Sequence, residues 1–471
     1  MNVIVIVTDS MRADHLGCHP LCQSYNGFKV QTPNLDKLAS EGTLFEEAYA
    51  ESLPTMPTRR NWWTGRVGFP FQGWQPFEND DYLLAEVLWN RGYTSALISD
   101  TYHMHKPVYN CGRGFDTVVW IRGQEYDPWI VDSSISVDLK RHHRLRGDGS
   151  DEMWRDRFIQ NLRNASYRKK EEDYSVARVV TAAKGWLDET VNRRGIQDKL
   201  FLWVDCFDPH EPWDPPQPYA SMYDPDYKGM EIFDPVPGVT EGYMTPEEVH
   251  HTKSLYAGEI TLVDKWVGTL LDHIRDLGLY ENTLIVHISD HGEPFGEHGI
   301  IRKASPWNYE ELARIPWIIR HPKGIGAGKR VKEFVQSTDF MPTILDFLEI
   351  PQPLALPFSA PRKSAQLFPQ DVPIATNTIN LHGHSVLKLM SGEEDKIRDY
   401  VYTGHHNQQW TIRSKEWSYH YPLVPEASGT GGPELYHRSE DLAEQFNVAD
   451  RYPDVADEME LQLWRWVMSL K

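Results

Sequence analysis

Cysteine is scarce in this chain. Its 471 residues hold four, Cys18, Cys22, Cys111 and Cys206. So few thiols in so long a chain exclude a disulfide framework and point to reduced side chains. Cys18 and Cys22 flank His19, which leaves a zinc site open there as an alternative. Long apolar runs are missing too, so no segment reads as a membrane-crossing helix. The first run, "NVIVIVTD", has neither the basic flank nor the cleavage site of a secretory leader. Positive charge is also short: 48 Lys and Arg stand against 68 Asp and Glu, a formal net charge of -20. An acidic chain repels nucleic acid and anionic membrane, so neither is an expected partner, and a cytoplasmic location is the expectation. Cations that bind an anionic substrate must then be gathered locally.

What is present is a large apolar stock, with 40% hydrophobic residues, 17 Trp and 22 Tyr. The length suits one large domain and a smaller one. Short β-branched runs at 2–9, 94–100, 199–208, 283–290 and 315–322 read as buried parallel strands. Helical patterns at 34–42, 82–92, 246–277 and 340–350 lie among them. The alternation predicts an α/β domain whose parallel sheet is covered on both faces. The charged stretches 139–148 and 168–173 read as solvated insertions, and 208–219 as a proline-rich loop. After about residue 370 the character changes. Residues 401–421 alternate like two antiparallel strands, and 456–470 read as a closing amphipathic helix. The expected division is a catalytic domain over 1–370 and a small α+β subdomain over 371–471.

Acids stand at the ends of the strand runs: Asp9, Asp100, Asp205 or Asp208, and Asp290. Ligands of open α/β sheets bind beyond the carboxyl ends of the strands, so these groups are expected to face one crevice. In "SDHGEPFGEHG" (289–299), Asp290 and His291 are adjacent, and Gly292 lets the backbone turn. With Asp9 they offer oxygen and imidazole donors that suit Mn²⁺ or Zn²⁺, or Ca²⁺ if oxygens dominate. Glu293, Glu297 and His298 read as supporting groups. The stretch "ESLPTMPTRRNWWTG" (51–65) reads as a helix start, with Thr55 and Thr58 near the cap and Gly65 as the stop. Thr55 is then either a cap or a nucleophile that a bound dication would activate. Arg59, one turn on, would neutralise the alkoxide and substrate oxygens.

Five segments in order, "NVIVIVTDSMRADHLG", "SLPTMPTRRNWWTGR", "DPHEPW", "SDHGEPFGEHG" and "RKASPWNYEELARIPWIIRHP", resemble the signature segments of the sulfatase family, within the alkaline phosphatase superfamily. The match runs from residue 2 to about 322, and "WTIRSKEWSYHY" with "ELYHRSEDLAEQFNV" resembles the family's C-terminal subdomain. The resemblance implies a large mixed, mostly parallel sheet sandwiched by helices, with a smaller C-terminal α+β subdomain. It implies one divalent metal ion on Asp9, Asp290, His291 and Thr55. It makes Thr55 the nucleophile, Arg59 the arginine that closes the signature, His210 the group assisting departure, and Lys303 the cation on a non-bridging oxygen. Tyr102 and His103 stand where the family has a Lys-x-His pair and are carried over as substrate-binding. Ser10 stands where typical sulfatases have a second aspartate.

Thr55 is the largest departure. Typical members have Cys or Ser there, converted to formylglycine, and threonine is not a recognised precursor. A phosphothreonine can be released by in-line attack of water, whereas a threonine sulfate needs attack at sulfur. This favours a phosphodiester or phosphonate monoester as the small anionic ester substrate. An aryl or sugar sulfate is the alternative, and an inactive metal-binding homologue is a second. A phosphoethanolamine-type transferase would use a similar threonine but usually carries membrane helices. The stretches 101–107, 120–129 and 381–385 are candidate linings of the specificity pocket, and a homo-oligomer is open.

Overall fold

The first apolar run folds as strand β1, Asn2–Thr8, and every residue of it is buried. Val3, Val5 and Val7 enter one hydrophobic core, while Ile4 and Ile6 enter another on the opposite face. That two-sided burial is why the strand reads as a continuous apolar run, not as an alternation. The computed structural model describes residues 1–470 apart from 25–26, 150, 304–305, 353 and 356–377. The predicted boundary between residues 370 and 371 lies outside the described residues.

Eight strands form the main sheet. They are β1, β2 (Thr43–Tyr49), β3 (Thr94–Ser99), β4 (Thr117–Trp120), β5 (Leu200–Cys206), β6 (Thr283–Ile288), β7 (Trp317–Arg320) and β8 (Lys329–Gln336), in the order β8-β2-β7-β6-β1-β5-β3-β4. The predicted strand at 315–322 is present but runs antiparallel to β6 and β2, which corrects its expected direction. The other pairings in the sheet are parallel. Strands β2, β4 and β8 were not read from the sequence.

Helices α1 (Pro33–Glu41), α2 (Thr55–Thr64), α3 (Leu84–Asn90), α4 (Asp151–Ala165), α5 (Ser175–Leu187), α6 (Pro246–Asp276) and α7 (Phe340–Phe347) accompany this sheet. Residues of α1, α5 and α6 join the core on one face; those of α2, α3 and α7 join the other. The start of α6 is capped by Thr245, whose side chain accepts from Glu248 N while Glu248 reaches back to Thr245 N. No described helix is long and apolar enough to cross a membrane.

The C-terminal part holds a separate sheet of four antiparallel strands, β9 (Val401–His405), β10 (Gln409–Arg413), β11 (Trp417–Pro422) and β12 (Glu434–His437). Two strands were expected in this stretch; the turns at 406–408 and 414–416 divide it into three, and β12 adds a fourth. Helix α8, Pro453–Ser469, packs Met459, Leu463 and Val467 against this sheet. The small sheet is bonded to the large part. Asn308 N donates to the Gln409 side chain at 2.7 Å, and Asn308 Nδ2 donates to the Gln409 carbonyl at 2.9 Å. Glu310 N donates to Glu444 at 2.9 Å.

The charged stretches are solvated in part, with Lys169, Lys170 and Glu172 exposed, but three of their arginines are tied to the fold. Arg144 pairs with Glu248, Arg146 donates to the carbonyls of Val236 and Val239, and Arg168 pairs with Asp214 at 2.8 Å.

Candidate active site

Strands β6, β1 and β5 are neighbours, so the acids at their carboxyl ends arrive side by side. Asp9, Asp205 and Asp290 are all fully buried and converge on one guanidinium. Arg59 donates to Asp9 at 3.0 Å, to Asp205 at 2.5 and 3.0 Å, and to Asp290 at 2.7 Å. It also donates to the Thr55 carbonyl at 3.1 Å. Expected to face substrate oxygens, Arg59 is instead turned inward and saturated by carboxylates. The physical reason is charge: three adjacent buried carboxylates need a cation more than the solvent side does.

The two remaining strand-end acids do other work. Asp100 accepts from Phe207 N at 2.7 Å, and Asp208 accepts from Val176 N at 3.0 Å and from Gln124. Asp100 braces the segment after β5 and Asp208 the start of α5, so the expected single crevice of strand-end acids is narrower than predicted.

Asp9, Asp290 and His291 place ligand atoms within 4.8 Å of one another, the one such group among the described residues. Asp290 Oδ1 accepts from Ser10 N at 3.0 Å and from His291 N at 2.9 Å, which fixes its carboxylate. His291 Nδ1 lies 2.8 Å from the Gly292 carbonyl, so the ring proton belongs there and Nε2 carries the lone pair. That lone pair points toward Asp290 Oδ2 at 3.6 Å, Asp9 Oδ1 at 3.9 Å and Thr55 Oγ1 at 3.2 Å. Burial holds the His291 ring neutral, its pKa lowered to about 4. Burial and the neighbouring Asp290 push the Asp9 carboxyl well above the ordinary range. Two facing carboxylates, a neutral imidazole nitrogen and a hydroxyl are a donor set that fits a divalent cation. The Cys18–His19–Cys22 alternative has no such geometry: His19 Nε2 lies 3.2 Å from the Glu46 carbonyl.

Thr55 is the first residue of α2, and its side chain does not cap that helix. Its hydroxyl is therefore free to face the helix N-terminus and the cluster. Thr58 donates to the carbonyls of Ser52 at 2.5 Å and Asp290 at 3.2 Å, tying the helix start to the metal-type loop. Gly292 is required by close approach: a Cβ there would sit 2.0 Å from the Glu311 carbonyl oxygen.

Lys303 reaches the site from the other side. Its Nζ lies 2.7 Å from His210 Nε2, 3.1 Å from Glu293, 3.3 Å from Glu211 and 3.4 Å from Ser10 Oγ. Burial disfavours its charge, but Glu211 and Glu293 outweigh it and hold the ammonium protonated. His210 Nδ1 lies 2.9 Å from the Glu211 carbonyl, so Nε2 accepts from Lys303. Burial lowers the His210 pKa to about 3. The ring expected to assist departure of a leaving oxygen, by a proton or a hydrogen bond, presents its Nε2 lone pair to Lys303. Ser10, Glu125 and Arg302 adopt left-handed backbone, with φ of 60°, 48° and 61°. Strain of this kind at non-glycine residues gathers where side chains must be aimed.

A cavity of about 500 Å³ opens outside Thr55. Thr55, His210 and Lys303 form its floor, and Trp74, Trp154, Arg157 and Tyr126 stand on its walls. His103 lines it and lies 3.0 Å from Glu125. Tyr102 does not: its ring packs on Tyr126 and Trp120 behind the wall, with Lys106 4.6 Å from its centroid. The stretch 120–129 contributes Glu125 and Tyr126, whereas His382 and His384 from 381–385 line a different cavity with Gln336 and Arg398. Glu211 follows His210 in a motif already singled out and could have been read there. Arg157 had no signal, because α4 reads as a charged solvent face.

The sulfatase family model matches residues 1–350, and the chain belongs to the sulfatase family. It is 27% identical over 385 residues to an arylsulfatase of Clostridium perfringens, spanning 75% of this chain and 76% of that protein. It is 26% identical over 418 residues to an N-acetylglucosamine-6-O-sulfatase of Bacteroides thetaiotaomicron, covering 75% and 68%. The fold is similar to the crystal structure of a phosphonate monoester hydrolase of Agrobacterium radiobacter, with a TM-score of 0.70, 20% identity and coverage of 100% and 95%. The chain is an ester hydrolase of a metal-dependent family.

Proposed function

We propose that the chain hydrolyses a singly charged phosphorus ester, a phosphodiester or phosphonate monoester, through a covalent ester at Thr55. The observation that carries this reading is the position of Thr55 Oγ1, 3.2 Å from the lone-pair nitrogen of His291 at the start of a helix. Asp9, Asp290, His291 and Thr55 would hold one divalent ion, with Mn²⁺ or Zn²⁺ favoured by the mixed donors and Ca²⁺ the alternative. When bound, that ion supplies positive charge that favours an ionised threonine oxygen and polarises the ester.

Thr55 oxygen attacks phosphorus in line as the bond to the leaving oxygen breaks. Lys303 keeps its proton and donates hydrogen bonds to the charge that develops. His210 holds the ammonium at 2.7 Å and has no ready proton of its own. Stabilisation of charge, not proton delivery, is what this pair offers, so a weakly basic leaving oxygen such as an aryl oxide suits it. Water then hydrolyses the threonine ester and restores the hydroxyl. Arg59 acts through the acids it orients. His103 contributes to the substrate cavity, and Tyr102 supports its wall.

A second reading is a sulfate ester, favoured by the names of the two relatives at 26% and 27% identity. A sulfate monoester carries the same single charge. The deciding experiment is a substrate panel with Mn²⁺-loaded protein, coupled to acid quench and peptide mass analysis. The expected result is faster turnover of aryl phosphodiesters and phosphonates than of aryl sulfates, with a phosphoryl adduct on Thr55. Thr55→Ala should cost at least about a thousandfold in kcat. Faster sulfate turnover would transfer the assignment to the second reading, and an active Thr55→Ala would end both.

A further inference from the structure

The cations around the reacting end of the cavity are neutralised within the protein. Lys303 faces Glu211 and Glu293, Arg302 pairs with Glu211 and Asp234, and His103 pairs with Glu125. Arg157 is different. It lines the same cavity, and among the described residues its contacts are with rings and not with a carboxylate or a carbonyl. Two aromatic rings hold it instead: its guanidinium carbon lies 4.4 Å from the Tyr126 centroid and 4.7 Å from the Trp154 centroid. Stacking fixes the plane of a guanidinium without using its N–H donors. An arginine kept in this way, half-buried beside a catalytic floor, is arranged to receive a two-oxygen anion side by side. Trp74 and Trp154 add flat apolar walls to the same space, suited to a ring.

We propose that Arg157 binds a carboxylate carried on the ring of the leaving group. The preferred substrate is then a double anion, with its ester at Thr55 and its carboxylate at Arg157. This rests on the reading that the ester reacts at Thr55, but it is tested without turnover. Unreactive sulfonates serve as probes of Mn²⁺-loaded protein by calorimetry: 3- and 4-sulfobenzoate, each against benzenesulfonate. The wild type should bind at least one sulfobenzoate about tenfold tighter than benzenesulfonate. Arg157→Gln should bring that ratio to within about twofold, and Arg157→Lys should keep part of it. A wild-type ratio near one overturns the proposal. So does a ratio that survives in a folded Arg157→Gln, with folding checked by thermal melting. If Arg157→Gln fails to fold, a ratio in Arg157→Lys equal to that of the wild type at high salt and low salt alike overturns it. Loss of Thr55-dependent turnover with the binding ratio intact would remove the catalytic reading and leave this one standing.

Discussion

Lys303 meets two carboxylates, an imidazole lone pair and the Ser10 hydroxyl within 3.4 Å. Few side chains could satisfy all of these, and an ammonium with three donors does. Lys303→Met should therefore lower kcat/KM about 10²–10³-fold, the loss typical of a preorganised donor to developing charge, as read in steady-state kinetics. His210→Gln should cost less, because its Nε2 orients the lysine and carries no proton. The ratio of the two losses is the check, and an equal loss would return the proton-donor role to the histidine. Asp9, Asp290, His291 and Thr55 were legible as candidates because strand ends and a helix start are local features. The direction of Arg59 was not. Spacing places it one turn from Thr55, but only the convergence of three strands shows that Asp205 also competes for it. Tyr102 and His103 were inseparable in sequence; the short turn at Tyr102–His105 sends one ring behind the cavity wall and the other onto it.

At the scale of elements, burial was legible and direction was not. The run around Trp317–Arg320 is apolar because the strand is covered on both faces, and that holds whichever way it runs. Strands β2 and β8 escaped notice because they mix buried and charged positions. The loop after β6 offers a sharper test. Gly292→Ala would press a methyl against the Glu311 carbonyl, so the loop must shift and Asp290 and His291 with it. We expect a stability loss of about 1–3 kcal/mol in denaturant unfolding, with weaker Mn²⁺ binding in the same protein. Helix α2 gives a second test. Arg59→Lys leaves part of three buried carboxylates unpaired and should cost about 3–5 kcal/mol. Unchanged unfolding in Arg59→Lys would show that the guanidinium is dispensable to the fold.

For the molecule as a whole, one histidine couples the two sheets to pH. His298 Nδ1 lies 2.7 Å from Glu311, and its Nε2 lies 2.9 Å from the Glu444 carbonyl. Both nitrogens face acceptors, which an imidazolium satisfies. Burial opposes that charge, but Glu311 overcomes it and the pKa rises from 6.5 to about 9. The sign follows from linkage: the stabilisation is complete below about 6.5 and is lost as pH rises through about 9. Urea unfolding at fixed metal should show a decline on the order of 3 kcal/mol over that window, flattened in His298→Gln. Binding of the ion to the folded state alone should raise stability by about 2.7 kcal/mol at a hundred times its Kd, and chelation should reverse this in thermal melts.

The tie through Asn308 has a reach beyond stability. It fastens Asn308 to β10, a strand of the other sheet. A protein truncated ahead of Val401 would keep the nucleophile, every proposed ligand and all eight strands of the main sheet. It would lose the partners of Asn308, five residues beyond Lys303, and we expect a lower kcat/KM from it although the tail places no described group in the cavity.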